Sequence, residues 1–281
     1  MKTSKHLLFP TDFSEASQDA LISTLHLASQ RKAKVTVLHV IYPEYEPMDL
    51  PVLSAKATEE KLEVAKTVLE NLVSSTRQLL KDQLKPMPEI ETKIEIGVPA
   101  AAIIRLANEL ECDMIAMGTR KKHSTLEQWL GTVTAEVVQK ADLPVLVLPE
   151  GRHLEQIKLM VFATVLKERD LESIRKLMQL LPMENAIMHV VHVNTQAEKR
   201  QISMEDMKRF FMEGKKELPL KFHILESKDV IGALNTFAQE YDADLLIMAT
   251  VKRSFWERLF HESQSRAMVL RAEVPILVLH E

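Results

Sequence analysis

One unit occurs twice in this chain, and that bounds what the chain can fold into. CDMIAMGTRKK at 112–122 resembles ADLLIMATVKR at 243–253, and ADLPVLVLP at 141–149 resembles AEVPILVLH at 272–280, both pairs 131 residues apart. Nearer the start, HLLFPTDF at 6–13 aligns with LMVFATVL at 159–166, and VLHV at 37–40 with VVHV at 190–193, each 153 residues apart. Two constant offsets mean two copies that differ by 22 residues, all lost after the second apolar run. The surplus in the first copy is the proline-rich stretch YPEYEPMDLPVLSAKAT together with a longer helix. A repeat of about 140 residues is too long for a solenoid unit and suits a domain. The expected division is therefore 1–150 and 155–281, with a linker near 149–156.

Each copy alternates short apolar runs with helical patterns. HLLFP, KVTVLHVI, TKIEI, DMIAMG and PVLVLP in the first copy are strand-like, rich in Val, Ile and Leu, as strands covered on both faces should be. Between them, Leu62, Ala65, Leu69, Leu72, Thr76 and Leu79 share one face at helical spacing. Ser14 stands where an N-cap belongs, with Glu15 favourable in the first turn. The alternation predicts an α/β fold, a doubly wound parallel sheet in each copy. In such sheets ligands bind beyond the carboxyl ends of the strands, at the switch point.

Composition narrows the function. The chain of 281 residues is 46% apolar and 27% charged, in the range of globular proteins. The net charge is −4, and only 5% of residues are aromatic. Neither half is basic: 17 basic face 21 acidic residues up to 150, and 19 face 19 beyond it. Nucleic acid is not the expected partner. No apolar run approaches the ~20 residues of a membrane span. The opening MKTSKHLLFPTDFSE is too short in its apolar part for a signal peptide, and the single Cys112 suits a reducing compartment. The expected location is the cytoplasm, with no membrane association.

Candidate chemistry concentrates in MGTRKKHSTLEQWLGT, residues 117–132. Gly118 ends the fourth strand, and Gly131-Thr132 opens the next helix. A helix start offers free N–H groups to an anion, and glycine lets backbone approach a phosphate. The alternative is that Gly118 only turns the chain and Gly131 only precedes a helix. Asp12, just past the first strand, could accept from a ribose hydroxyl or cap the first helix. Val40 could face an adenine or belong to the core.

Taken together, PTDFS, the Gly118/Gly131-Thr132 spacing and the terminal PVLVL strand make the chain resemble a tandem universal stress protein, over nearly its whole length and in both copies. The resemblance implies the adenine nucleotide alpha hydrolase-like fold and binding of ATP or a related adenine nucleotide, with Mg as its companion ion. On that resemblance Asp12 meets the ribose, Val40 the adenine pocket, and Gly118, Gly131, Thr132 and the Val133 backbone the phosphates, with Met117 and Lys121 as further cofactor-binding candidates. The family pattern has glycine where this chain has Lys121. The ammonium could grip phosphate, its side chain could keep the backbone away, or the loop could simply be solvated. In the second copy Val165 replaces Asp12, Ala249 replaces Gly118, and Glu262-Ser263 replaces Gly131-Thr132, which implies a degenerate site.

No catalytic set is visible: there is no GxxxxGK[ST], GxSxG or HExxH. Binding and regulation are expected rather than turnover, with slow ATP hydrolysis and a purely protein-binding module as alternatives. His39 and His192, at equivalent positions, are expected to be structural, as is a buried Cys112. Trp129 and Trp256 are expected in packing or partner contacts. Met114, Met117, Met160, Met188 and Met248 are expected in the core, and 198–217 as an amphipathic helix. In the family the last strands of two units pair. PVLVLP and PILVLH are therefore expected to join the copies as an intrachain pseudo-dimer, covering two sheet edges. A homodimer and unidentified protein partners remain open alternatives.

Overall fold

The structure is a computed structural model that describes residues 5–43, 51–119, 132–182, 185–195, 201–212, 219–250 and 274–280, with backbone only at 51–58, 212 and 250. In the first half, β1 (His6–Pro10), β2 (Lys34–Ile41), β3 (Ile90–Ile96), β4 (Met114–Thr119) and β5 (Val145–Pro149) alternate with α1 (Glu15–Arg31), α2 (Pro51–Leu80), α3 (Pro99–Glu109) and α4 (Thr132–Lys140). In the second half, β6 (Leu159–Ala163), α5 (Glu168–Leu180), β7 (Ile187–Asn194), α6 (Met204–Met212), β8 (Leu220–Glu226), α7 (Val230–Glu240), β9 (Leu245–Thr250) and β10 (Ile276–His280) follow. The expected α/β architecture is the one observed.

All ten strands form one sheet in the order β3-β2-β1-β4-β5-β10-β9-β6-β7-β8. Within each half every pairing is parallel. The halves meet through β5 and β10, which run antiparallel with Ile276 opposite Val147, Leu277 opposite Leu146 and Val278 opposite Val145. Leu146 and Leu277 are equivalent positions of the two copies, so a pseudo-twofold axis passes through their pair. The pairing expected of PVLVLP and PILVLH is thus present.

The apolar runs are strands because both sheet faces are covered. On one face Leu7, Phe9, Val35, Met114, Phe162 and Val190 of the strands form one core cluster with Leu21 of α1, Leu69 of α2, Leu177 of α5 and Met207 of α6. On the other, Leu8, Leu38, Ile115, Met117 and Val145 meet Ile103 of α3, Val137 of α4 and Phe237 of α7. The outermost strand β3 carries Glu91, Lys93 and Glu95 along one side. Lys34 pairs with Glu91 and Arg105 with Glu95, charges that discourage further strand addition at this edge.

Two details depart from the sequence reading. Leu79 is 58% exposed, while Val73 and Leu80 are buried. The buried stripe of α2 runs through Ala65, Leu69, Val73, Thr76 and Leu80, and a residue three after Thr76 falls off it where one four after stays on. Within 198–217 the helix begins at Met204 and is described to Met212, with 201–203 outside it; 198–200 and 213–217 lie outside the described residues. The linker expected near 149–156 is docked. Leu154 and Ile157 are buried in the core, the Leu154 amide donates to Ser23 Oγ at 3.0 Å, and Gln30 of α1 donates to the Glu155 carbonyl. The five core methionines are buried as expected. Cys112 is buried too, and its thiol is pushed up to about 12 chiefly by that burial. Trp129 and Trp256 lie outside the described residues.

Truncating Leu277 removes a fully buried side chain from the junction. Leu277→Ala should cost about 2–5 kcal/mol, measured as a lower urea midpoint. A loss below about 1 kcal/mol would mean that the junction contributes little to stability.

Candidate functional site

In the first half the sheet reverses direction of winding between β1 and β4. The chain leaves β1 for α1 on one face, and the helices flanking β4, α3 and α4, cover the other. Such a point leaves a crevice beyond the carboxyl ends of the two strands. The segments that reach this edge are the β1–α1 turn, the end of β2, the end of β4 and the start of α4.

The β1–α1 turn is held by short polar side chains. Asp12 is exposed, and its Oδ1 accepts from the Ser14 amide at 3.0 Å and from Ser14 Oγ at 2.5 Å. Ser14 is the N-cap of α1 and accepts in turn from the Ser17 amide. Thr11 Oγ1 bonds Ser17 Oγ at 2.7 Å and accepts from the Phe13 amide. Phe13 sits at φ 63°, a left-handed conformation uncommon outside glycine. Its ring stacks on His39, with centroids 4.3 Å apart. His39 Nδ1 lies 2.9 Å from the Thr11 carbonyl. A carbonyl can only accept, so Nδ1 carries the proton, and His39 is tied to the turn. His192 makes the same bond to the Thr164 carbonyl at 3.0 Å. The structural assignment of both histidines follows from these bonds.

The other candidate residues divide between the two faces. Val40 is half-buried on the α3/α4 face, where Met117 is buried and Val133 packs against the same cluster. Thr132 is the exposed first residue of α4. Gly118 faces the opposite way, toward α1. A Cβ there would lie 2.8 Å from the Ala16 carbonyl oxygen and 3.0 Å from Ala20 Cβ. The residue type at 118 therefore has a packing cause, the close seating of α1 on β4. Lys121 and Gly131 lie outside the described residues.

The second half builds its corresponding turn differently. Asp170, 1% exposed, stands where Ser17 stands in the first half. Its Oδ2 accepts from Thr164 Oγ1 at 2.5 Å, from the Val165 amide at 3.0 Å and from the Lys167 amide at 3.1 Å. The Leu166 carbonyl accepts from the amides of Gln201 and Ile202, which fold over the turn. An internal carboxylate thus occupies the amides of this turn. Sequence reasoning did not identify Asp170. Its signal was an acid at the third position of a helix after a Thr-ended strand, a capping arrangement. Ala249, in the place of Gly118, packs against the core, and Glu262 and Ser263 lie outside the described residues.

Comparison with known proteins follows this division. A family model described as the universal stress protein family matches residues 3–149 and 167–280. Two universal stress proteins of Methanocaldococcus jannaschii are similar to this chain. One is 29% identical over 152 residues, spanning 51% of this chain and 94% of its own length. The other is 30% identical over 153 residues, spanning 53% and 84%. Among solved structures, a universal stress protein from Archaeoglobus fulgidus covers 99% of this chain and 97% of its own, with TM-score 0.71 and 19% identity. That likeness establishes the fold across both halves.

The packing role of residue 118 is testable. Gly118→Ala should destabilise the protein by about 1–3 kcal/mol, because the new carbon meets backbone and α1 must shift. Ala249→Gly should cost only about 0.5–1 kcal/mol. Chemical denaturation of the two variants measures both, and equal effects would remove the argument.

Proposed function

The chain belongs to the universal stress protein family, and we propose that its first half, 1–150, binds ATP or a related adenine nucleotide while its second, 155–281, serves as a structural or regulatory copy. The observation that supports this reading is the β1/β4 switch point, whose carboxyl edge is reached by the segments that carry Asp12, Val40, Met117, Gly118, Thr132 and Val133. The residue chemistry fits the parts of such a ligand. Val40 offers apolar surface for an adenine ring, with Met117 buried in the same cluster. Asp12 offers an exposed carboxylate oriented by Ser14 for ribose hydroxyls. Thr132 opens a nine-residue helix, whose first amides and dipole favour phosphate. Lys121 and Gly131 would complete the phosphate side, with Mg as the companion ion of a triphosphate. The second half lacks the ribose carboxylate and fills its turn with Asp170, so one nucleotide per chain is the proposed stoichiometry. The protein acts as a nucleotide-responsive regulator in the cytoplasmic stress response.

Isothermal titration with ATP and Mg tests the assignment. Asp12→Ala should weaken binding roughly tenfold, the worth of one hydrogen bond to a buried hydroxyl, while Val165→Ala leaves it unchanged. Lys121→Gly tightens binding if the lysine obstructs the phosphates and weakens it if the ammonium holds them. No binding at millimolar ATP, with no nucleotide released on denaturing the purified protein, would contradict the proposal.

A further inference from the structure

At the far end of the sheet from the candidate site, four rings pack between β7, β8 and α7. His189 of β7 stacks on His223 of β8, centroids 4.8 Å apart and planes 25° from parallel. Phe237 and Tyr241 of α7 stack on each other at 4.4 Å and close over both imidazoles, His189 lying 4.6 Å from Tyr241 and His223 4.9 Å from Phe237. His189 is 1% exposed. Among the described residues neither of its ring nitrogens has a hydrogen-bond partner, and His223 Nε2 is likewise buried without one.

The first half shows what a satisfied version of this corner looks like. There the position of His189 is held by Thr36, and the imidazole comes from His6 on the neighbouring strand. His6 Nε2 bonds Thr36 Oγ1 at 2.8 Å and Nδ1 bonds the Leu110 carbonyl at 3.2 Å. In the second half Leu159 stands in place of His6, so the residue on the neighbouring strand offers His189 no polar side chain. As a neutral ring it is tolerated as an apolar, stacking group. As a cation it would be a buried charge without an acceptor.

We propose that the His189–His223 stack is a proton-sensitive latch, in which mild acidification loosens the C-terminal end of α7 from β7 and β8 while the first half stays folded. Among the described residues, the groups facing the stack supply no compensating negative charge. From β8 they are Lys221 and His223 itself, and both disfavour a charge on His189. From β6 the paired residue is Val161. From α7 they are Phe237 and the phenol of Tyr241. Beyond α7, Asp244 directs Oδ2 to the amides of Lys158 and Leu159, and Glu240 and Asp242 are exposed to solvent.

Burial, then His223 and Lys221, pull His189 down to about 4, and His223 is lowered by burial and Lys221. An unfolded histidine titrates near 6.5. The neutral rings therefore contribute their full stability above about pH 6.5, and it is lost as pH falls toward 4. Protons enter the released segment more readily than the packed one. Tyr241 is already 42% exposed and α7 covers the outermost strands, so local opening is the less costly route.

Hydrogen exchange by mass spectrometry on the full chain, corrected for intrinsic rates, tests the latch. Between pH 7.5 and pH 5, protection of 230–241 should fall roughly twentyfold, while the equivalent helix 99–110 changes less than about threefold. His189→Thr, which copies the first half, should abolish the selective loss, and His223→Phe should reduce it if the first variant folds poorly. Equal loss in both helices, no loss in α7, or a selective loss that survives in both variants would overturn the proposal.

Discussion

The antiparallel pairing of β5 with β10 is the interaction on which the architecture depends. A parallel sheet of five strands ends in β5 or β10 with a row of unpaired backbone groups on an apolar strand, all five residues of β5 being buried here. Pairing the two edges satisfies those groups and buries Leu146 against Leu277 in one step. Because the paired residues are equivalent in the two copies, the contact has the self-complementary form of a twofold dimer, made within one chain. The docked linker, bonded to Ser23 and Gln30 of α1, holds the two ends of this junction together.

That pairing also sets where chemistry can occur. Strands are parallel within each half and antiparallel across the junction, so the carboxyl edges of the halves point in opposite directions. The two switch points, β1/β4 and β9/β6, are separated by four strands, about 20 Å across the sheet. They cannot share a ligand, and each copy has been free to diverge. The first half keeps an exposed Asp12 over a turn pinned by Thr11, Ser17 and His39. The second keeps the histidine pin but exchanges Ser17 for Asp170, whose carboxylate consumes the turn's amides. The open turn of the first half and the closed turn of the second thus differ at Asp12/Val165, Ser14/Lys167 and Ser17/Asp170.

Strand positions were legible because burial on both faces demands continuous Val, Ile and Leu, and the expected runs match β1 to β5 within two residues. The Ser14 cap was legible because its partner is three residues away. The junction was legible only through family resemblance, since an apolar strand does not name its mate. What escaped the sequence depends on distant partners. The packing cause of Gly118 appears only when the carbonyl of Ala16 is placed against it. Leu79 fits a helical stripe until the stripe's centre is fixed by Val73 and Leu80. The His189–His223 stack joins residues 34 positions apart on adjacent strands, and nothing local announces that its nitrogens lack partners. Lys121 and Gly131, the residues on which the phosphate side of the site turns, lie outside the described residues.

The most direct test of the account is the register at the junction. In a deuterated, backbone-labelled sample, nuclear Overhauser contacts should connect backbone protons of Leu146 with those of Leu277, and Val145 with Val278. Amides of both strands should rank among the slowest to exchange. Absence of these contacts, with one side of β10 exchanging as rapidly as the open edge of β3, would contradict the single continuous sheet and the opposed placement of its two crevices.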